Sequence, residues 1–402
     1  MKTKSKIPAL RFKGFTDAWE ERKLGELTTS FSGGTPSAGN SSYYKGDIPF
    51  IRSSEINSDK TELFLTEAGL KNSSAKMVSV GDILYALYGA TSGEVGISQI
   101  NGAINQAILA IKPCDGYNSH FLMQWLKLQK QKIIDKYLQG GQGNLSGSIV
   151  KNLVLNVPSY EEQQKIGSFF KQLDNTIALH QRKCDQTKEL KKTMLQKMFP
   201  KKGERIPEIR FPEFTDEWEE KKLGEMLTER NVQQVPKEDA PLVSFTVENG
   251  VTPKTDRYDR EFLVRTGDKK YKYTTFDDIV YNPANLKFGA IARNKFGDAV
   301  FSPIYVTLVA DKEKVLPIFI ERIVTNGNFI QESLRYQEGT VYERMSVKVP
   351  DFLSMKISIP SLPEQEAIGT YFQTLDQDIA QIEKKLADLK ELKKALLRQL
   401  FV

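Results

Sequence analysis

Apolar residues recur at helical spacing in two long segments, one in the middle of the chain and one at its end. In the second segment the apolar positions follow alternating steps of four and three residues, interrupted only at Lys393: Leu375, Ile379, Ile382, Leu386, Leu389, Leu396 and Leu400. The positions of the first segment in the same register are Leu173, Ile177, His180, Cys184, Thr187, Lys191, Met194 and Met198. This spacing predicts two long helices that pair along a common seam as an antiparallel coiled coil. Packing of each helix on its own domain is the alternative.

Start and stop signals flank both segments. Ser159-x-x-Glu162 and Ser361-x-x-Glu364 fit the capping box, in which the serine accepts from a backbone amide and the glutamate reaches back. Pro200 and Gly203 predict the end of the first helix. A helix from Glu161 to Phe199 would be about 60 Å long at ~1.5 Å per residue.

The stretches before each helix have a different pattern. Short apolar runs bounded by turn residues predict strands at Val80–Tyr85, Ala107–Lys112, Phe276–Tyr281 and Ala299–Val309. Phe121–Tyr137 is amphipathic at helical spacing. The predicted fold class is therefore α+β, with two mixed, strand-rich globular domains joined by the two long helices.

An internal repeat runs through the chain. Residues 7–27 return at 206–226 with 14 of 21 residues identical, and Pro158–Lys192 returns at Pro360–Lys394. The stretches 28–156 and 228–358, between the repeated blocks, show little similarity to each other. Trp19 and Trp218 belong to the repeated blocks, and we expect both in the core.

This organisation predicts four segments in a pseudo-two-fold arrangement. They are a first globular domain at 1–157, a central helix at 158–203, a second globular domain at 204–358 and a C-terminal helix at 359–402. A duplication that keeps its frame while the intervening domains diverge favours two different specificities on one scaffold.

Composition excludes several classes of protein. The longest apolar runs are far too short to span a bilayer, so we expect no membrane association. Cys114 and Cys184 are the only cysteines, which fits a reducing cytoplasm, and with two histidines, His120 and His180, a zinc site is not expected. The net charge of +6 indicates polyanion binding only weakly.

Several motifs together resemble the specificity subunits of type I restriction–modification systems. They include Trp19-Glu-x-x-Lys23-Leu24-Gly25-Glu26, Gly34-Thr35-Pro36-Ser37, Tyr44-x-Gly46-Asp47-Ile48-Pro49-Phe50-Ile51, Ser73-Ser74-Ala75-Lys76, Gly81-Asp82-Ile83, Gly89-Ala90-Thr91, Asn105-Gln106 and the linker Ile359-Pro360-x-x-Pro363-Glu364-Gln365. The resemblance covers essentially the whole chain. One departure is Tyr160-Glu161, where the second copy has Leu362-Pro363.

The resemblance implies a sequence-specific subunit for double-stranded DNA, each domain reading one half of a bipartite, asymmetric target. The helices would set the gap and dock two modification (methyltransferase) subunits, and restriction/translocase subunits would join for cleavage. No cofactor would be bound by this chain, while S-adenosylmethionine, ATP and Mg would be held by the partners.

The sequence lacks the motifs of the partner enzymes. Amino-methyltransferases hold the flipped base in an Asn/Asp-Pro-Pro-aromatic loop, and the nearest match, Tyr281-Asn282-Pro283-Ala284, reads as a turn after a strand. No phosphate-binding G-x-x-x-x-G-K-[ST] motif is present. These absences favour a non-catalytic role, while a nuclease cluster of carboxylates scattered in the sequence stays open. The alternatives are a specificity subunit for a single fused nuclease–methylase polypeptide, a coiled-coil adaptor that binds no DNA, and a self-sufficient methyltransferase.

Side chains that read base edges or bind phosphate are Arg, Lys, Asn and Gln in loops, with some hydroxyl groups. The candidates for DNA contact in the first domain are Arg52, Lys76, Tyr88, Thr91, Asn105, Gln106, Gln142 and Asn144. Those in the second domain are Arg257, Arg260, Lys270, Lys272, Asn285, Lys287, Arg293 and Arg344.

Overall fold

Two helices of nearly forty residues are the longest elements of the chain. In the computed structural model, which describes residues 7–138, 144–253, 269–338 and 346–402, the central helix spans Tyr160–Lys197 and the C-terminal helix spans Leu362–Leu400. Both bounds of the predicted Glu161–Phe199 helix are correct to within two residues. The helix ends before Pro200, which has no amide hydrogen to continue it.

The chain divides into two units. Unit 1 contains the residues up to Arg182 together with Lys384–Val402, and unit 2 contains Lys183–Glu383. Each unit therefore takes the first part of one long helix and the last part of the other. The central helix is α5 and the C-terminal helix is α9.

Unit 1 is strand-rich. Its shorter helices are α1 (Leu24–Leu27), α2 (Glu67–Lys71), α3 (Ser119–Tyr137) and α4 (Gly147–Lys151). Its strands are β1 (Glu20–Lys23), β2 (Thr28–Ser32), β3 (Tyr44–Ile51), β4 (Phe64–Leu65), β5 (Lys76–Val78), β6 (Ile83–Ala86), β7 (Val95–Ile97), β8 (Gly102–Ile104), β9 (Ile108–Pro113) and β10 (Val154–Val157). They form the sheets β1-β10, β2-β9-β6-β7 and β4-β3-β8-β5.

Unit 2 has a related set of elements. Its shorter helices are α6 (Pro317–Val324), α7 (Gly327–Ser333) and α8 (Val349–Ser354). Its strands are β11 (Glu219–Lys222), β12 (Leu227–Glu229), β13 (Gln233–Gln234), β14 (Val243–Thr246), β15 (Gly250–Pro253), β16 (Tyr271–Thr274), β17 (Ile279–Tyr281), β18 (Ile291–Arg293), β19 (Ala299–Phe301), β20 (Val306–Ala310), β21 (Gln337–Glu338), β22 (Ser346–Val347) and β23 (Lys356–Ile359). The four-stranded sheet β12-β20-β17-β18 has the same strand order as the sheet β2-β9-β6-β7 of unit 1. The two-stranded sheet β11-β23 likewise matches β1-β10. The remaining strands of unit 2 form the sheets β13-β16-β19, β14-β15 and β21-β22.

Three of the four predicted strands differ from the structure, because two begin later than predicted and one is divided into two. β6 begins at Ile83 and β17 at Ile279, because Gly81 and Asp277 adopt positive φ in the preceding turn. Ala299–Val309 is two strands rather than one, since the chain turns at Ser302–Tyr305 around Pro303, which cannot donate to a ladder. The Phe121–Tyr137 helix and the Ala107–Lys112 strand are confirmed as α3 and β9.

A tryptophan lies at the centre of each core. In unit 1 Trp19 is 1% exposed and makes edge contacts with Phe121 and Phe401. In unit 2 Trp218 is equally buried and makes edge contacts with Phe199 and Phe319. The expectation that both tryptophans serve the core is confirmed. Each core also includes the phenylalanine at the end of a long helix that begins in the other unit.

A buried ion pair joins the opening segment of each unit to the start of its helix. The Arg11 guanidinium donates from Nε and Nη2 to the two carboxylate oxygens of Glu162, at 2.7 and 2.8 Å. Arg210 binds Glu364 in the same way, at 2.7 Å for both bonds. Ser159 Oγ accepts from the Glu162 amide at 3.4 Å, so the capping box is correct for the serine in the first copy. It is wrong for both glutamates, whose carboxylates bind arginine instead of returning to the cap.

The next residue of each helix connects it to the body of its unit. The Gln163 side chain accepts from the Asn118 amide at 3.1 Å and donates to the Pro158 carbonyl at 3.0 Å. Gln365 accepts from the Leu316 amide at 2.9 Å and donates to the Pro360 carbonyl at 3.0 Å. The side-chain NH2 and carbonyl groups of Gln163 and Gln365 are hydrogen-bonded to backbone groups. These bonds fix the direction in which each helix leaves its unit.

An aspartate of each helix contacts the partner helix within the same unit. In unit 1 Asp174 accepts from Lys393 and from the buried Gln124, at 2.6 and 2.7 Å. In unit 2 Asp376 binds Lys191 and Arg322. Lys393 is the interruption of the second apolar seam, and Lys191 is one of three polar positions in the first, with His180 and Thr187. These two lysines each bring an ion pair to the seam. Every seam position of both helices is buried or half-buried.

We expect removal of the buried carboxylate to destabilise one unit. Glu364→Ala leaves the Arg210 guanidinium buried without its partner, which should lower the free energy of unfolding of unit 2 by about 3–5 kcal/mol. Hydrogen exchange followed by peptide mass reports the two units separately. The exposed neighbour Glu366 is the matched control, and Glu366→Ala should change little. Equal exchange in the Glu364→Ala protein and the wild type would contradict this interpretation.

Unit 2 should also lose stability in acid through Asp376. Burial would raise the pKa of Asp376, but the hydrogen bond from Lys191 and the charge of Arg322 together lower it below its ordinary value of 3.8. A carboxylate whose pKa is depressed by folding stabilises the folded state fully above its unfolded pKa. This contribution is lost as the pH falls below 3.8 and through the lower pKa of the folded state. Asp376→Asn should therefore flatten the acid side of the stability profile of unit 2, while Asp378→Asn, at an exposed position, should not.

Candidate nucleic-acid interface

The polar candidates of unit 1 meet at one edge of a sheet. β3 and β8 run parallel with Ile51 opposite Ile104. Arg52 and Asn105 directly follow these two strands, so they lie side by side at the end of the sheet. β5 is antiparallel to β8 with Lys76 opposite Ile104, which brings Lys76 to the same edge. Three candidates far apart in sequence are therefore neighbours because of strand register.

Two further loops join this edge through backbone hydrogen bonds around Leu87. The Leu87 amide donates to the Ala107 carbonyl at 2.8 Å, and the Leu145 amide donates to the Leu87 carbonyl at 3.0 Å. Tyr88 and Asn144 form an isolated β-bridge, and Thr91 closes the turn that follows. We call the resulting surface the unit 1 loop face; it consists of Arg52, Lys76, Tyr88, Thr91, Asn105, Gln106 and Asn144.

The side chains of the unit 1 loop face differ in the hydrogen bonds and ion pairs that they already make within the unit. Lys76 is exposed, with its ammonium 5.5 Å from the Phe31 ring centre. Gln106 is exposed and its carbonyl oxygen accepts from Thr35 Oγ1 at 2.6 Å. The Asn105 side chain accepts from the Ala107 amide at 3.1 Å, which shapes the loop. Lys76 and Gln106 are therefore the best placed of these for an external partner.

Arg52 is instead engaged by two carboxylates. Its guanidinium lies 2.8 Å from Glu55 and 2.7 Å from Glu62. Burial would raise the pKa of Glu55, but hydrogen bonds from Arg52, from backbone amides and from Thr61 lower it to about 2. Arg52 thus holds the 52–62 loop in shape, and its charge is largely balanced inside that loop.

The corresponding loop of unit 2 follows β17. The Val347 amide donates to the Pro283 carbonyl at 3.2 Å, matching the Leu145–Leu87 bond of unit 1. The buried Asn282 side chain accepts from the Ala284 and Asn285 amides, so this segment is the turn that the sequence predicts. Asn285 is exposed at the head of the loop.

The remaining candidates of unit 2 fall into three groups. Lys270 is exposed just before β16, and the half-buried Lys287 has its ammonium 5.2 Å from the Phe288 ring centre. Lys272 and Arg293 lie in strands rather than in loops. Lys272 is 5% exposed and binds Glu229 and Asn231, while Arg293 binds Asp277 and Glu321 at the opposite end of β18. These internal partners remove the reason for expecting Lys272 and Arg293 to bind phosphate. The third group, Arg257, Arg260 and Arg344, lies outside the described residues, as does Gln142, the remaining candidate of unit 1.

Three exposed apolar side chains at the same edge of unit 2 were missed by a search for polar residues. Phe288 is 65% exposed, Ile304 60% and Val247 48%. Strand register places them together: Leu242 bridges Val300 in parallel, and Tyr281 lies opposite Val306, so the loops after β14, β17 and β19 emerge at one end. The unit 2 loop face is the surface formed by Val247, Lys270, Asn285, Lys287, Phe288 and Ile304. The sequence signal that could have identified these three residues is a large apolar side chain at a predicted loop position.

Neither a membrane helix nor a metal cluster is found in the part of the chain that the structure describes. Within 7–138, 144–253, 269–338 and 346–402, no helix is long and apolar enough to cross a bilayer. The same ranges contain no group of three or more His, Cys, Asp and Glu side chains placed to hold a metal ion.

Known proteins with similar sequences share one description. A family model for the type I restriction modification DNA specificity domain matches residues 16–189. The type I restriction enzyme MjaIX specificity subunit of Methanocaldococcus jannaschii is 24% identical over 407 residues, covering 95% of this chain and 92% of that protein. The type I restriction enzyme HindI specificity subunit of Haemophilus influenzae is 31% identical over 177 residues, covering 40% of this chain and 37% of that protein.

A solved structure has the same fold over nearly the full length. The S subunit of a type I restriction–modification system from M. genitalium superposes with a TM-score of 0.66 at 16% identity, covering 98% of this chain and 99% of that one. The family model, the relatives of similar length and this fold agree with the motifs of the sequence. This chain is thus similar in sequence to the specificity subunits of type I restriction–modification systems, and it shares the fold of one of them.

Proposed function

We propose that each unit reads one half of a bipartite, asymmetric double-stranded DNA target through its loop face. The observation that carries this proposal is that two sheets of the same strand order present loop faces of different chemistry. Unit 1 presents amides, a hydroxyl and a lysine, whereas unit 2 adds exposed apolar groups. Different chemistry on one frame suits two different half-sites, because base edges are distinguished by their donors, acceptors and methyl groups.

The long helices in this proposal form an antiparallel coiled coil that sets the gap between the half-sites. The ion pairs Asp174–Lys393 and Asp376–Lys191 and the burial of the seam support pairing in each unit. Two modification subunits dock on and around the helices, and restriction/translocase subunits join them for cleavage. The chain itself is non-catalytic, and S-adenosylmethionine, ATP and Mg belong to the partners. A single fused nuclease–methylase polypeptide is the alternative partner, and co-purification separates the two.

DNA binding should distinguish phosphate contact from base reading on the unit 1 loop face. Lys76→Ala should weaken binding to all sequences and reduce the slope of log affinity against log salt by about one. Gln106→Ala should leave that slope unchanged and relax one base position, with a loss of roughly 1–3 kcal/mol on the preferred sequence. Titration of the full-length chain with target and random duplexes at several salt concentrations measures both effects.

The control for these two variants is Lys151→Ala, since Lys151 is exposed beside Gly25 at the other end of β2. It should bind as the wild type does. A salt-dependent loss for Lys151→Ala as large as for Lys76→Ala would contradict the placement of the interface. Absence of any specific binding by the wild type, alone or with its modification subunits, would contradict the proposed function itself.

Helix length should control the gap. Seven residues inserted after Arg182 and seven after Glu383 keep the seam in phase and lengthen each helix by about 10 Å. The unread gap should grow by about three base pairs at ~3.4 Å each, while both half-sites stay the same. Three pairs also rotate one half-site by roughly 100° at ~10.5 pairs per turn, so methylation should be slower.

Methylation mapping of host DNA measures the gap directly. Four-residue insertions at the same two points are the control, since they shift the seam by half a repeat and should abolish or strongly reduce activity. An active seven-residue variant with an unchanged gap would show that the helices do not measure the distance.

A further inference from the structure

We infer that the unit 2 loop face reads thymine through an apolar contact between Phe288 and the 5-methyl group in the major groove. Val247 and Ile304 extend the same apolar surface. This inference rests on the proposed DNA-reading function and names the determinant for one half-site. It goes further than a general expectation of polar contacts, because it assigns a residue type and a base.

The exposure of Phe288 is imposed by a well-fixed loop. Leu286, two residues earlier, is fully buried in the core, and the Asn282 side chain accepts from two amides of the turn. The Phe288 amide donates to the Asn285 carbonyl at 2.9 Å, and Gly289 then turns the chain with φ of 83°. With Leu286 held inside, the ring of Phe288 is directed to the surface. An exposed aromatic ring costs free energy in water, and a DNA contact would recover it.

Residues next to Phe288 extend the apolar surface and limit the kinds of ligand that can bind it. A Cβ placed on Gly289 would lie 3.5 Å from Val247 Cγ1, so the hairpin turn after β14 packs beside the Phe288 loop. Lys287 is adjacent, and Lys269 and Lys270 are exposed at the same end of the sheet. An apolar centre bordered by lysines suits a polyanion that offers an apolar group, and thymine supplies the one methyl group on the base edges of the major groove.

Unit 1 has small residues at the matching places. Tyr85 pairs with Val95 as Tyr281 pairs with Ile291, so Ser92 lies where unit 2 has Phe288. The turn closed by the Ile108 amide on the Asn105 carbonyl matches the turn closed by the Tyr305 amide on the Ser302 carbonyl, so Ala107 lies where unit 2 has Ile304. The apolar surface is thus specific to unit 2.

The experiment replaces thymine by deoxyuridine, which removes only the methyl group. Once methylation mapping has given the target, each thymine of the unit 2 half-site is replaced in turn and binding by the full-length chain is measured. One replacement should weaken wild-type binding about fourfold, the equivalent of one buried methyl group at about 0.8 kcal/mol. Phe288→Ala should bind thymine and deoxyuridine duplexes equally, and Phe288→Leu should keep most of the discrimination.

The matched control is Phe276→Ala. Phe276 is 56% exposed but lies before β17, at the other end of that strand, so this variant should retain the full deoxyuridine effect. Specific binding that is indifferent to every deoxyuridine, or a unit 2 half-site without thymine, overturns the inference and leaves the proposed function standing. Loss of modification-subunit binding in Phe288→Ala, with unchanged thymine discrimination, would assign the patch to a protein partner and also overturn it.

Discussion

The bidentate pair between an arginine of the opening segment and a glutamate of the helix start is the constraint on which each unit depends. Glu162 and Glu364 are almost fully buried, and Arg11 and Arg210 are nearly so, so neither charge can be removed alone without leaving the other in a region of low polarity. The pair fixes the opening segment against the helix. The adjacent Gln163 and Gln365 fix the helix against the backbone of the globular part. With these contacts in place, the direction of the helix and the position of the tryptophan follow.

Much of the frame could be predicted from the sequence because it is repeated and periodic. The helix bounds followed from Pro200 and the seven-residue seam, and the central tryptophans followed from their place in the repeat. What the sequence could not supply was long-range pairing. Glu162 fits a local capping rule, yet an arginine 151 residues earlier binds its carboxylate. Lys272 looks like a surface lysine until Glu229 and Asn231 are brought beside it by sheet register.

The residues of the two loop faces could also be predicted only in part from the sequence. Arg52, Lys76 and Asn105 are scattered in sequence, and their convergence depends on a parallel pairing of β3 with β8 that no local pattern reveals. A search by residue type found the polar members and passed over Phe288, Ile304 and Val247. Residue type predicts what a side chain can bind, but only the fold shows whether it is presented to a partner or used internally.

The place of Phe401 in the core of unit 1 has a consequence for synthesis on the ribosome. Phe401 stacks on Phe121 and contacts Trp19 and Phe170. The aromatic core of unit 1 is therefore incomplete until residue 401 has left the ribosome. Unit 2 is made in one continuous stretch, from Lys183 to Glu383. At ~5–20 residues per second, that stretch takes roughly 10–40 s, during which the aromatic cavity of unit 1 stays open to water. The first unit to be translated is thus the last to be completed, since part of its core is supplied by residues 384–402.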